Sequence, residues 1–129
     1  MTAVATLARL AKGALIAIGL GAAAAAAAEL DGAALFKSAC ATCHAAQRNA
    51  GHRQGPNLFG VYGRKAGAYP GFAYSPPFRA AARGLAWNEA TLDRWLTDSQ
   101  AMIPGAAMPY KQPDATRRAA LINYLKTLK

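Results

Sequence analysis

The chain has 129 residues, 9% of them aromatic and 16% charged, with a mean hydropathy of +0.06, which excludes a disordered polar tail and allows one domain. Its two cysteines exclude a multi-disulfide scaffold and a four-cysteine zinc or iron–sulfur site. The formal charge of +9 favours anionic partners, but no basic run exceeds two residues (Arg64-Lys65, Arg117-Arg118), which argues against nucleic acid.

Of 34 alanines, 13 fall in the first 28 residues, where Arg9 and Lys12 are the only charged side chains. Gly13 to Ala28 form an uncharged stretch of 16 residues that ends in the alanine run 22–28. A basic start, an apolar middle and an Ala-x-Ala end predict a secretory signal peptide over residues 1–28, cleaved after Ala28. The alternative is an uncleaved membrane anchor, for which 16 residues fall short of the roughly 20 that a spanning helix needs. Residues 29–129 are then an exported, periplasmic domain. They carry 12 Val, Ile and Leu, 11 aromatics and 2 Met. A domain of this size buries only about 60–65% of its unfolded surface, so a cofactor, metal or disulfide is expected to complete the core.

Asp31 predicts the cap of a helix running to about His44, in which Gly32, Phe36, Cys40 and Cys43 recur at helical steps on one face. Residues 45–74 show no periodicity and are broken repeatedly by glycine and proline, yet they hold Phe59, Tyr62, Tyr69, Phe72 and Tyr74. So long a loop is unusual in a compact domain unless it wraps a large apolar ligand. Pro76-Pro77 predict the opening of a short helix over Phe78 to Arg83, which Gly84 closes. Asn88 caps a helix from Glu89 to about Ser99, with Leu92, Trp95 and Leu96 inward. Residues 101–113 read as a loop stiffened by Pro104-Gly105 and Pro109. Asp114 caps the last helix, where Leu121, Tyr124, Leu125 and Leu128 form a stripe at i, i+3, i+4 and i+7. The fold class expected is all-α, three main helices separated by long loops.

The chemistry is concentrated in Cys40-Ala41-Thr42-Cys43-His44. Two cysteines two residues apart, followed at once by histidine, form the attachment pattern of c-type haem. One turn puts both thiols on the same side, each able to form a thioether, and brings the His44 imidazole under the iron. A dithiol redox site would call for a βαβ pattern, and a disulfide at this spacing closes a strained ring. A zinc site from Cys40, Cys43, His44 and His52 needs adjacent Cys43 and His44 to reach one tetrahedral ion. The motif occurs once, so one haem is expected and a di-haem peroxidase is excluded. Met102, Met108 and His52 are the candidates for the second axial position, and residue spacing favours Met108 only modestly.

Around this motif the sequence resembles the small soluble class I cytochromes c of bacteria and mitochondria. The resemblance rests on Gly32-x-x-x-Phe36, the haem motif, Gly55-Pro56-Asn57-Leu58, Gly63-Arg64-Lys65, Pro70-Gly71-Phe72, Trp87, Ile103-Pro104-Gly105-x-x-Met108 and Leu121-Ile122-x-Tyr124-Leu125. It implies a cytochrome c fold wrapped around one haem c, held by Cys40 and Cys43 and ligated by His44 and Met108. It also implies that Pro56 offers its carbonyl to His44, that Arg64, Tyr74 and Trp87 face the haem propionates, and that Gly32 and Phe36 meet Leu121 and Tyr124. The sequence departs from the family at Trp95, where a tyrosine is common, and at Ala106, where a hydroxyl is common. Ala39, Gln100-Ala101 and Ala106-Ala107 stand where mitochondrial members present lysines around the haem edge.

The resemblance implies a monomeric one-electron carrier, not an enzyme, serving respiratory or photosynthetic membrane complexes or periplasmic redox enzymes. Its basic charge would steer it toward acidic docking surfaces in a salt-sensitive way. The alternative is a haem enzyme or gas sensor with an open distal site. Mass analysis of the exported protein is expected to give a chain that begins at Glu29; retention of residues 1–28 would establish the anchor instead.

Overall fold

A computed structural model describes residues 29–129, and the expected signal segment lies outside the described residues. Five helices follow in order: α1 (Gly32–Ala39), α2 (Pro76–Ala81), α3 (Glu89–Thr97), α4 (Ser99–Met102) and α5 (Ala115–Thr127). Among the described residues there is no strand, only isolated bridges between Lys65 and Ala86 and between Asp98 and Lys111. The architecture is all-α with α1, α3 and α5 as its main helices, and among the described residues no helix is long and apolar enough to cross a membrane.

Each main helix begins on a side chain that satisfies its orphan amides. The Asp31 carboxylate accepts from Ala33 and Ala34, and that of Asp114 from Thr116 and Arg117. Asn88 and Thr91 cap α3 reciprocally, each side chain accepting from the other's backbone N–H.

Three boundaries differ from the sequence expectation. The first helix stops at Ala39 rather than near His44, because the Phe36 carbonyl accepts both the Cys40 and Ala41 amides, at 2.8 and 3.0 Å. Sharing one carbonyl ends the regular ladder, and the haem motif then lies on tight turns. The short helix covers Pro76–Ala81 rather than Phe78 to Arg83, since the fixed φ of proline suits a first helical turn. The helix begun at Glu89 ends at Thr97, because Asp98 is extended (φ −164°, ψ 103°) and its carboxylate caps a separate turn, α4, through the Gln100 and Ala101 amides. Residues 101 and 102, expected in a loop, belong to that turn.

The core sits where α1 crosses α5 and α3 packs beside them. Leu121, Ile122 and Leu125 of α5 are buried with Phe36 of α1 and Leu92, Trp95 and Leu96 of α3. Gly32 makes the crossing close: a Cβ there would run into the Ala120 carbonyl and lie 2.9 Å from Tyr124 Cβ. The rings of Phe36 and Tyr124 pack at 5.2 Å between centroids.

Residues 45–74 form a wrap without regular structure that adds Ala46 and Val61 to this core and is tied together by its own polar groups. The Asn57 side chain, fully buried, donates to the Gln47 carbonyl and accepts from the Phe59 amide. His52 Nδ1 accepts from the Asn57 N–H at 3.0 Å, which makes Nε2 the protonated nitrogen, and Nε2–H donates to the Pro70 carbonyl at 2.8 Å. His52 thus clasps two separate parts of the wrap.

Gly32→Ala is expected to cost about 1–3 kcal/mol, the usual penalty of overpacking a tight contact. Denaturant unfolding of the haem-loaded protein tests this, and an unchanged midpoint would mean that the α1–α5 crossing relaxes freely.

Candidate functional site

The end of α1, the wrap, α3 and the segment after α4 enclose a cavity of about 320 Å3. Cys40, Cys43, His44, Pro56, Arg64, Tyr74, Trp87 and Met108 all line it. The two other sequence candidates for the second axial position do not. Met102 borders a separate hollow with Arg94 and Asp98, and both nitrogens of His52 are engaged within the wrap.

One carbonyl organises the attachment turn. The Cys40 carbonyl accepts the amides of Cys43 and His44, at 3.1 and 2.9 Å, and the Gly55 amide donates to the Cys43 carbonyl at 2.7 Å. Arg53 Nη1 donates to the Ala41 carbonyl at 2.7 Å. Cys40 and Cys43 form no disulfide, and the Cys43 sulfur lies 3.3 Å from Gln54 Oε1. Burial, helped by neighbouring Cys43, pushes the Cys40 thiol up to about 11.

His44 is set in one tautomer. Its Nδ1–H donates to the Pro56 carbonyl at 2.7 Å, which leaves Nε2 with the lone pair. Burial lowers the pKa of the ring, opposed by that carbonyl, and so favours the neutral imidazole that a metal requires. Gly55 allows the backbone to pass against the ring, for a Cβ there would strike Cε1 and sit 2.7 Å from Nδ1.

Met108 lies on a loop that α4 holds from one side. Ser99, fully buried, lies with Oγ 2.5 Å from the Met108 carbonyl and accepts the Tyr110 amide at 2.9 Å. Gln100 Nε2 donates to the carbonyls of Ala106 and Met108, at 2.8 and 3.0 Å, while its Oε1 accepts from the Gly105 amide. Sequence reasoning missed both residues because it ran the preceding helix into a loop here. The signal available was Asp98, a capping residue directly before Ser99-Gln100.

Aromatic rings form one wall. Tyr74 stacks on Phe78 at 5.2 Å, and Phe78 meets Trp95 edge-on at 5.6 Å, with Trp87 5.8 Å from Trp95. Trp95 and Ala106, the two departures from the family pattern, are both buried against the cavity. Polar groups gather near Tyr74. Arg64 donates to the carbonyls of Phe59 and Asn57 and lies 4.3 Å from the Tyr69 ring centre. Burial lowers its pKa, opposed by Tyr74 and Tyr69. The Tyr74 hydroxyl accepts from the Tyr69 amide at 3.3 Å, and burial raises its pKa. Ser75, which the sequence reading passed over, lines the same cavity with a buried Oγ that has no hydrogen-bond partner. A buried hydroxyl without a partner marks a place where another polar group is required. An apolar cleft with two thiols and a histidine on one turn, and with a guanidinium and an orphaned hydroxyl, fits a flat apolar macrocycle that carries carboxylates.

Comparison with known proteins agrees with that chemistry. The profile of the cytochrome c family matches residues 30–129. Cytochrome c of Chlamydomonas reinhardtii is 44% identical over 95 residues, covering 71% of this chain and 81% of that protein. Cytochrome c of Sesamum indicum is 44% identical over 101 residues, covering 74% and 86%. The bacterial cytochrome c-550 of Novispirillum itersonii is 41% identical over 107 residues, covering 76% and 96%. The chain belongs to the cytochrome c family, whose members are haem-bearing electron carriers rather than enzymes. Its cofactor is haem c, bound covalently through Cys40 and Cys43.

Ser99→Ala is expected to destabilise the protein by about 1–3 kcal/mol, because it strips the part-buried Tyr110 amide of its partner and the Met108 carbonyl of one of its two. Unfolding midpoints of the two haem-loaded proteins measure the difference.

Proposed function

We propose that the chain is a periplasmic one-electron carrier in which His44 Nε2 and the Met108 thioether would hold the haem iron. When bound, the haem supplies a single iron that cycles between two oxidation states by one electron. The residues of the chain hold that centre still. Pro56 orients His44 through its carbonyl, and Ser99 and Gln100 fix the Met108 loop from behind. The aromatic wall around Phe78 excludes water, and Arg64, Tyr74, Ser75 and Trp87 face the propionates. Held by an imidazole and a thioether together, the iron would have a raised reduction potential and no position open to a substrate. Signal-peptide cleavage after Ala28 delivers the carrier to the periplasm, where it acts as a monomer. There it serves respiratory or photosynthetic membrane complexes or periplasmic redox enzymes with acidic surfaces.

The observation that carries this reading is one cavity lined by Cys40, Cys43, His44 and Met108 while Met102 and His52 lie elsewhere. Absorption spectra of wild type, Met108→Ala and Met102→Ala test it. The weak far-red charge-transfer band of iron(III) bound to thioether sulfur is expected in wild type and in Met102→Ala, and is lost in Met108→Ala. A wild type without that band, whose reduced form takes up carbon monoxide at once, would be a sensor or an enzyme with an open distal site.

A further inference from the structure

We infer that the Gln100 side chain is the latch that decides when the Met108 sulfur gives way to a small neutral nitrogen base of the imidazole class; the inference rests on the axial role proposed for Met108. Ala106, Ala107 and Met108 line the cavity from a segment, Pro104 to Met108, that has no regular structure. Both ends of that segment are anchored. At its start Ile103 is buried, and its amide donates to the Ser99 carbonyl at 2.9 Å. Beyond its end the Ser99 amide donates to the Tyr110 carbonyl at 3.0 Å, and Ser99 Oγ accepts the Tyr110 amide. Lys111, one residue further, pairs with Asp98 at 2.9 Å.

Between the anchors the segment does little to hold itself. Pro104 has no amide hydrogen, and the Ala106 amide makes one backbone bond, to the Ile103 carbonyl at 3.1 Å. Among the described residues, Ser99 and Gln100 are the side chains that bond to it. Ser99 reaches the Met108 carbonyl alone, whereas Gln100 spans the segment: Nε2 donates to the Ala106 and Met108 carbonyls, and Oε1 accepts the Gly105 amide at 3.2 Å. The two differ in exposure. Ser99 is fully buried and Gln100 only half-buried. Water can replace the partners of a half-buried amide at small net cost, but it cannot reach those of a buried hydroxyl without unpacking the core. The Asp98 carboxylate also accepts the Gln100 amide at 3.1 Å, so the backbone of the latch stays in place while its side chain turns. Opening therefore proceeds by release of Gln100, with Ser99 as the pivot. Ala107 and Pro109, exposed beside Met108, present neither charge nor bulk to a small neutral base. In the exchange one iron–sulfur bond breaks and one iron–nitrogen bond forms, with no electron or proton transferred.

The test titrates the oxidised, haem-loaded protein with imidazole at about pH 8, where the free base is neutral, and follows loss of the far-red thioether band. Gln100→Ala is expected to show the full band before imidazole is added and to lose half of it at about tenfold less imidazole than wild type. A tenfold ratio corresponds to about 1.4 kcal/mol, in keeping with three modest bonds lost together. Gln100→Glu keeps the size of the side chain and an acceptor for Gly105 but sets a carboxylate oxygen against two carbonyls, and is expected to shift at least as far. Hydrogen exchange at the Gly105 amide is expected to quicken in Gln100→Ala. Gly32→Ala, at the distant α1–α5 crossing, is the control for global stability, since local opening does not require global unfolding; its imidazole midpoint stays within about twofold of wild type. An unchanged midpoint in Gln100→Ala would overturn the inference. So would wild-type behaviour of Gln100→Glu, or an equal shift in Gly32→Ala. Failure of the axial reading looks different: wild type would then lack the band before any imidazole is added, or Met108→Ala would keep it.

Discussion

The Cys40 carbonyl accepts both the Cys43 and His44 amides, and this one tight turn sets the positions of two thiols and an imidazole at once. The rest of the described chain is arranged to keep that turn in place. Gly55 donates to the Cys43 carbonyl, Arg53 reaches the Ala41 carbonyl, and Pro56 takes the His44 Nδ1 proton. The wrap is bound to the turn in this way by its own backbone and side chains. Covalent attachment then stabilises a domain whose large apolar side chains alone are too few to close a core around so large a cavity.

The side of the cavity that carries Met108 solves the same problem differently. Its segment lacks regular structure, and its carbonyls would be left without partners if the loop stood alone. Ser99 and Gln100 supply those partners from a four-residue helix whose own start is capped by Asp98. A buried polar cluster of this kind is costly when incomplete, so the loop has one well-defined position. The two sides thus follow one rule, in which a short backbone segment is made rigid by side chains from its immediate neighbours.

Charge is distributed along the same division. The helical side carries both signs in ion pairs, which contribute little to stability at an exposed surface but cancel the local field. The wrap carries only cations, with Arg64 turned inward toward the cavity and Arg53 outward beside its mouth. The net charge of +7 on residues 29–129 is therefore no uniform coat but a field with a direction.

The sequence by itself determined the helical class, the caps at Asp31, Asn88 and Asp114, and the apolar faces that carry Phe36 and Tyr124. These depend on neighbours a few residues apart, which periodicity and capping chemistry record directly. It also determined the attachment motif, since the chemistry of two thiols and an imidazole is local. The family resemblance marked the other residues that line the cavity. Only the tertiary structure decided where α1 ends, because the sharing of the Phe36 carbonyl leaves no trace in the pattern of apolar residues. Local spacing favoured Met108 over Met102 only modestly and the family resemblance chose it; the tertiary structure put Met108 on the cavity, Met102 on a separate hollow and His52 in the wrap, for nothing in local spacing says which sulfur or imidazole faces a cavity built by distant segments. Ser75 and Ser99 escaped notice for the same reason: a serine in sequence is an ordinary polar residue, and only long-range packing buries one without a partner and the other against three backbone groups.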